Sequence, residues 1–305
     1  MTLEAASGAV YDRGYRPYEG HRGRRGAAFL ALYKASIRRA LGLRRSWRQK
    51  VAPFVLLGIV TIPAIVNVGI AYVTRNDIFT NGRERIEIIT YREYVGVSAA
   101  LLLFVALVAP DVICPDRRQH VLPLLFARPM TGVDYVAAKL VAIGSIVFAF
   151  SFLPQVVLFV GNMLVSNSAL DYFTGHLDVL WKIPLAVALL AIYYSVIGVA
   201  ISSLSDRRIV AGASIIGLFL ITSIASGIMV GPRQENQFGG GSAAALVNFL
   251  RLPLELRDLI FLGHIDPQGP LSGVNGGGGL AIVTYVAVVM VAVTILLRRY
   301  RWVER

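Results

Sequence analysis

The residues best placed to do chemistry lie in "CPDRRQHVLPLLFARPMTGVDYVAAKL", a stretch flanked by long apolar runs. Asp116 precedes Arg117 and Arg118, while Val121, Leu122, Leu125 and Phe126 form one broad apolar face at helical spacing. An acid in the first turn and a cation in the last both suit the helix dipole. Asp116 is therefore expected to open a short helix and Arg128 to close it before Pro129 stops it. Pro123 conflicts with that span, because proline removes a backbone donor and crowds the preceding turn. The helix is expected to be kinked there, or to begin later than its charges imply. The "TGVD" that follows restarts the chain toward Tyr135 and Lys139. An amphipathic helix of this kind needs either a groove on another protein or a lipid surface to cover its apolar face.

The remaining reactive residues do not assemble into catalytic patterns. Cys114 is the one cysteine, and His21, His120, His176 and His264 are scattered without metal-ligand spacing. The chain has no Gly-x4-Gly-Lys-Ser/Thr loop to cradle ATP phosphates, no Gly-x-Ser-x-Gly elbow and no His-Glu-x2-His. Its isolated serines have no neighbouring base. An enzyme is not expected, and no cofactor is expected in this chain.

The elements that must position these residues are set by composition. Of 305 residues, 56% are hydrophobic and 16% charged, against about a quarter charged in soluble domains. With a mean hydropathy of +0.64, the bilayer is the expected solvent. Apolar runs long enough to cross it as helix fall near 51–73, 95–113, 139–163, 183–204, 209–230 and 279–297. The fold expected is an all-α integral membrane domain of six spans over 51–298, preceded by an amphipathic interfacial helix and ending in a short tail, 299–305.

Formal charge is +12, and residues 1–50 hold 12 Lys/Arg against 3 Asp/Glu. A basic excess can signal nucleic acid; beside a span, the anionic cytoplasmic leaflet is the expected partner. Residues 1–25 read as an extended cytoplasmic tail with no cleaved signal. Over 26–50, Leu30, Tyr33, Ile37 and Leu41 recur at helical spacing while Lys34, Arg38, Arg39 and Arg45 crowd the other faces. That pattern suits a helix lying in the membrane interface, with Trp47 as its aromatic anchor; a solvated charged helix is the alternative. An even number of spans puts the basic tail, "DRRQH", "SDRR" and "RRYRWVER" on one side. By the positive-inside rule that side is cytoplasmic, with both termini there. Five spans would strand one basic end outside.

Between the fifth and sixth runs lies a long insert, 231–278. Arg251, Pro253, Glu255, Arg257 and Asp258 break its apolar middle, so it is too polar to span. It is expected to form one or two short re-entrant or interfacial helices on the outer side, or else a disordered loop. Inside the spans the polar features are few. Asn67, Gln155, Tyr193 and Tyr194 are the candidates for lining a substrate path, and no charge falls near mid-span, which argues against a proton-coupled carrier or ion-selective pore.

The order Asp116-Arg117-Arg118, then Leu122, Leu124, Leu125, Arg128, Pro129, Tyr135 and Lys139, resembles the cytoplasmic connection between the second and third spans of ABC type-2 exporter permeases. Ala138 stands where that family usually has glycine. The basic helix before the first span, the six spans, "SSLSDRR" and the outer insert extend the resemblance over most of the chain. It implies a permease acting as a dimer, with itself or a related chain, coupled to a separate ATPase subunit that binds ATP and Mg²⁺. It also implies that segment 115–130 is a coupling helix, with Asp116, Arg117, Arg118, Val121, Leu122, Leu125, Phe126, Arg128 and Pro129 at the ATPase. Uncharged spans suit a hydrophobic or amphiphilic cargo. The competing possibility is a non-transporting membrane anchor or sensor. It accounts for the basic tail but gives no role to a structured insert on the far side.

Overall fold

Six helices are long and apolar enough to cross a membrane: Val51–Val73, Tyr91–Arg118, Gly132–Val165, Leu177–Ser202, Arg208–Val230 and Gly277–Tyr300. They belong to a computed structural model that describes residues 24–43, 47–75, 90–94, 98–126, 130–230, 242–272 and 274–303. The tail before residue 24, Arg45, Arg128 and Pro129 lie outside the described residues, as do the side chains of Trp47, Leu124 and Phe126. Every regular element among the described residues is helical. In chain order these are α1 (Arg25–Ala40), α2 (Trp47–Arg75), α3 (Tyr91–Tyr94), α4 (Ser98–Arg118), α5 (Leu122–Phe126) and α6 (Gly132–Val165). There follow α7 (Ala169–Gly175), α8 (Leu177–Ser202), α9 (Arg208–Val230), a 3₁₀ turn (Ala243–Val247), α10 (Leu252–Leu262) and α11 (Gly277–Val303).

The helices extend past their apolar runs because their polar ends are themselves good helix termini. Thr131 caps α6, accepting from the Asp134 N–H at 3.3 Å, while Asp134 accepts from the Thr131 N–H at 3.0 Å. Arg117 and Arg118 occupy the last turn of α4, where cations oppose the exposed carbonyls.

Burial divides the six into a centre and a periphery. The apolar windows of α4 and α8 are 69% and 72% buried, against 17% for α2, α9 and α11. All eight residues from Tyr193 to Ala200 are buried, so α8 is enclosed on every side over these two turns. A helix so enclosed is apolar all round. Small residues permit this crowding. A methyl on Gly198 would stand 2.5 Å from Val105, and one on Gly212 only 2.9 Å from the Ala106 carbonyl oxygen. That carbonyl belongs to the turn that Pro110 deprives of an N–H, so α9 brings its backbone against an oxygen its own helix leaves underused.

The described part of the insert before α11, residues 242–272 and 274–276, is folded. Its 3₁₀ turn packs on α9, and α10 packs on α8 and α11. Leu252, Leu256 and Leu271 enter the main core. The hydroxyl of Tyr194 donates to the Leu250 carbonyl at 3.2 Å. Tyr194 lies 17 residues into α8, about 25 Å along its axis, so the insert dips deeply into the bundle before α10 climbs back to Lys182, whose ammonium reaches the Phe261 carbonyl at 3.4 Å.

Gly212→Ala should lower the thermal midpoint of the detergent-solubilised protein, an overpacking cost of about 1–3 kcal/mol. Gly217→Ala, where an added methyl meets nothing within 4 Å, should instead be neutral or stabilising by up to about 1 kcal/mol through helix propensity. Thermal unfolding of the two variants side by side checks the opposite signs.

Candidate functional site

The polar residues of 114–140 converge at the Arg-rich end of the bundle, where α4 ends and α6 begins. Asp116 is 3% exposed and Lys139 2%. Their charged atoms lie 2.7 Å apart. On the same carboxylate oxygen the Tyr135 hydroxyl donates at 3.0 Å. The other oxygen accepts from Arg39, which reaches in from the penultimate position of α1. Lys139 also donates to the Val112 carbonyl at 3.2 Å. It lies 5.4 Å from the centre of the Tyr135 ring, and that ring in turn packs on Tyr300 of α11, centroids 5.0 Å apart. One carboxylate thus holds α1, α4 and α6 together, with α11 leaning on the same tyrosine.

Neighbouring contacts widen the joint. Arg117 donates to the Ser203 carbonyl and pairs with Asp206 at 3.1 Å, fastening α4 to the turn between α8 and α9. Arg208, at the start of α9, pairs with Asp111 of α4 at 2.7 Å. Arg25 pairs with Asp134 at 2.7 Å. The Tyr33 hydroxyl donates to Ser145 at 3.3 Å, so α1 runs along α6.

This placement corrects the expectation for Asp116, which belongs to the last turn of α4 and not to the first turn of a coupling helix. The helix continues through Pro115 and closes in a Schellman motif. The Val121 N–H reaches back to the Asp116 carbonyl at 3.1 Å and the His120 N–H to the Arg117 carbonyl at 3.1 Å. His120 takes the left-handed conformation, φ 50°, at the position that favours glycine. The short helix α5 begins only at Leu122, which puts Pro123 in its first turn, where a missing N–H costs nothing.

The apolar face is also placed differently from the expectation. Leu122 is buried in the chain's own core and Leu125 packs against it, and Val121 is half-buried. Neither leucine is free for a partner groove. The surface offered at the tip is instead Arg118, Gln119, His120 and Pro123, all exposed.

In α1, Tyr33 and Ile37 are half-buried and Lys34 and Arg38 exposed, and Leu41, just past its end, is half-buried. The stripe that faces the bundle keeps Tyr33, Ile37 and Leu41, with Ile37 and Leu41 packed on the core, and is broader than the expected one. It also runs through Phe29, Leu32, Ser36 and Ala40, and leaves Leu30 48% exposed. The four candidates for a substrate path lie inside the chain. Asn67, Gln155, Tyr193 and Tyr194 are all buried within the chain. Gln155 donates to the Tyr91 carbonyl at 3.4 Å, and Tyr193 stacks on Tyr285 with centroids 5.2 Å apart. Gln155 and Tyr193 thereby join helices inside the bundle.

The opposite end carries a second ionic group. Arg92 of α3 pairs with Asp258 of α10 at 3.0 Å and with Asp266. Arg257 binds Asp258 at 2.6 Å, and Arg251 approaches Glu255 at 3.3 Å. The Gln268 backbone N–H and the Arg92 guanidinium hold the Asp266 carboxyl below its ordinary range.

Removing one partner of a buried ion pair costs about 3–5 kcal/mol, because the other charge is left uncompensated. Asp116→Asn leaves Lys139 without a counter-charge and should approach that loss. Lys139→Met leaves Asp116 its contacts with Arg39 and Tyr135, so it should cost clearly less; thermal unfolding in detergent gives the order. No protein-family model and no curated protein matches the chain.

Proposed function

We propose that the chain is the permease subunit of an ATP-binding-cassette exporter, forming the cargo pathway as a dimer and driven by a separate ATPase that binds ATP and Mg²⁺. The observation that carries this reading is the joint at Asp116. It couples the tip, where Arg118, Gln119, His120 and Pro123 are exposed, to α6 through two bonds from one helix turn, Tyr135 and Lys139. A push on that tip would move α4 and α6 together, because neither helix can shift without exposing a buried charge. In this mechanism the ATPase grips Gln119, His120 and Pro123, while Leu122 and Leu125 tie α5 to the bundle. Nucleotide-driven closure then favours one of two bundle arrangements by differential binding to the tip.

In this reading the Arg-rich end is cytoplasmic, with both termini there, in the cell membrane, following the basic residues of the tail, 117–118, 207–208 and 298–299. α1 lies at the inner interface, with Lys34 and Arg38 toward anionic lipid headgroups and its other face on α6. The insert re-enters from the outer side. Its non-helical backbone near Leu250 is tolerated at that depth because protein encloses it. A hydrophobic or amphiphilic cargo fits the sparsely covered faces of α2, α9 and α11, which a second permease copy would help enclose.

Gln119→Asp together with Pro123→Asp, both at exposed positions, should leave the thermal midpoint unchanged. The pair should cost on the order of 2 kcal/mol of partner binding, the scale of an interface hot spot. The check is co-purification from native membranes. A Walker-motif ATPase should accompany the tagged wild-type chain and be largely lost from the variant. Absence of any such ATPase, or its full retention by the variant, contradicts the exporter function and leaves the anchor or sensor role.

A further inference from the structure

Between the end of α4 and the start of α9 a cleft of about 1090 Å³ is lined by Pro115, Arg118, Gln119, Asp206, Arg207, Arg208, Ile209 and Val210. Its charges are unevenly engaged. Asp206 is held by Arg117 at 3.1 Å and Arg208 by Asp111 at 2.7 Å. Arg118 and Arg207, both exposed, pair with no carboxylate among the described residues. Among the described residues, two guanidiniums without a carboxylate therefore border one recess whose single acid pairs with Arg117.

The other lining is apolar and open. Ile209 is 87% exposed and Val210 48%. The same outward side of α9 continues through Leu220, Ile221, Ile224 and Ile228, each 49% exposed or more. A water-soluble anion would use the arginines but would leave this stripe unexplained. A molecule with an anionic head and long apolar chains uses both. Guanidinium suits a phosphate, because its planar fork can donate two parallel hydrogen bonds.

We propose that this cleft binds the phosphate headgroup of an anionic phospholipid of the surrounding bilayer. Arg118 and Arg207 donate to the phosphate, and the acyl chains lie along the exposed side of α9. Asp206 pairs with Arg117 at 3.1 Å, which offsets its charge beside the head. A lipid seated here bridges the end of α4 to the start of α9, beside the Asp111–Arg208 contact. The proposal goes beyond the exporter reading and stands whether or not an ATPase binds the tip.

The test uses the full-length protein in phosphatidylcholine nanodiscs with and without phosphatidylglycerol, with native mass spectrometry reading the lipids retained after release. A basic residue near an anionic surface contributes about 1 kcal/mol, about fivefold. Arg118→Gln with Arg207→Gln should therefore lower phosphatidylglycerol retention by up to about 30-fold relative to phosphatidylcholine. Arg298→Gln with Arg299→Gln removes equal charge at the same end of the bundle and should leave most of the retention intact. Arg118→Lys with Arg207→Lys, keeping charge but losing the planar fork, should fall between the two. Equal loss in the Arg298 and Arg299 variant would show only diffuse surface attraction and overturn the site. Unchanged retention in the Arg118 and Arg207 variant would do the same. Displacement of the lipid by soluble glycerol phosphate at comparable concentration would assign the cleft to a free anion instead.

Discussion

A carboxylate cannot be taken out of water alone. Moving such an ion into a protein interior costs several kcal/mol even after relaxation, and attraction to a partner offsets that only with good geometry and further hydrogen bonds. Asp116 meets the condition by receiving Lys139 and Tyr135 on one oxygen and Arg39 on the other. Lys139, itself buried, has Asp116 and the Val112 carbonyl. The arrangement is complete only when three separate helices arrive together. α1, whose Leu32, Ile37 and Ala40 also pack on the core, is thereby fixed by charge as well as by packing.

The far end repeats the principle with different residues. α10 carries Glu255, Arg257 and Asp258 into burial, which is tolerable because Arg92, Arg251 and the acids satisfy one another there. Between the two ionic ends the bundle is held by apolar contact and close backbone approach at Gly198 and Gly212. The ends are thus tied by ionic bonds, and the middle by close packing with a few neutral hydrogen bonds, such as Tyr194 to the Leu250 carbonyl and Tyr285 to the Leu189 carbonyl.

Much of this was legible from residue order. The six apolar runs, the Thr131 cap in "TGVD", and the broken amphipathic character of the insert all depend on local spacing, which sequence displays directly. Pro123 was informative as well, since its conflict with a helix starting at Asp116 is resolved by a later start at Leu122. What local spacing could not show is which helix owns Asp116. Dipole arguments favour an acid at a helix start, yet burial against Lys139 outweighs that preference, and the pairing joins positions 23 residues apart through tertiary packing. Arg39 was hidden for the same reason, one cation among several on α1. Leu122 and Leu125 read as a free apolar face because a sequence does not reveal that the bundle already covers them. A retrospective signal did exist: Asp116 and Lys139 are opposite charges at the edges of adjoining apolar runs, where an unpaired charge would be costly.

Asp116 fastens α1 to α4 and α6, and amide hydrogen exchange of Asp116→Asn against the wild-type chain in the same detergent tests this most directly. Loss of the carboxylate should speed exchange in α1 and in the first turns of α6, while α10 and the Arg92–Asp258 region keep wild-type protection. Unchanged protection of α1 would contradict the account, as would a uniform acceleration reaching α10.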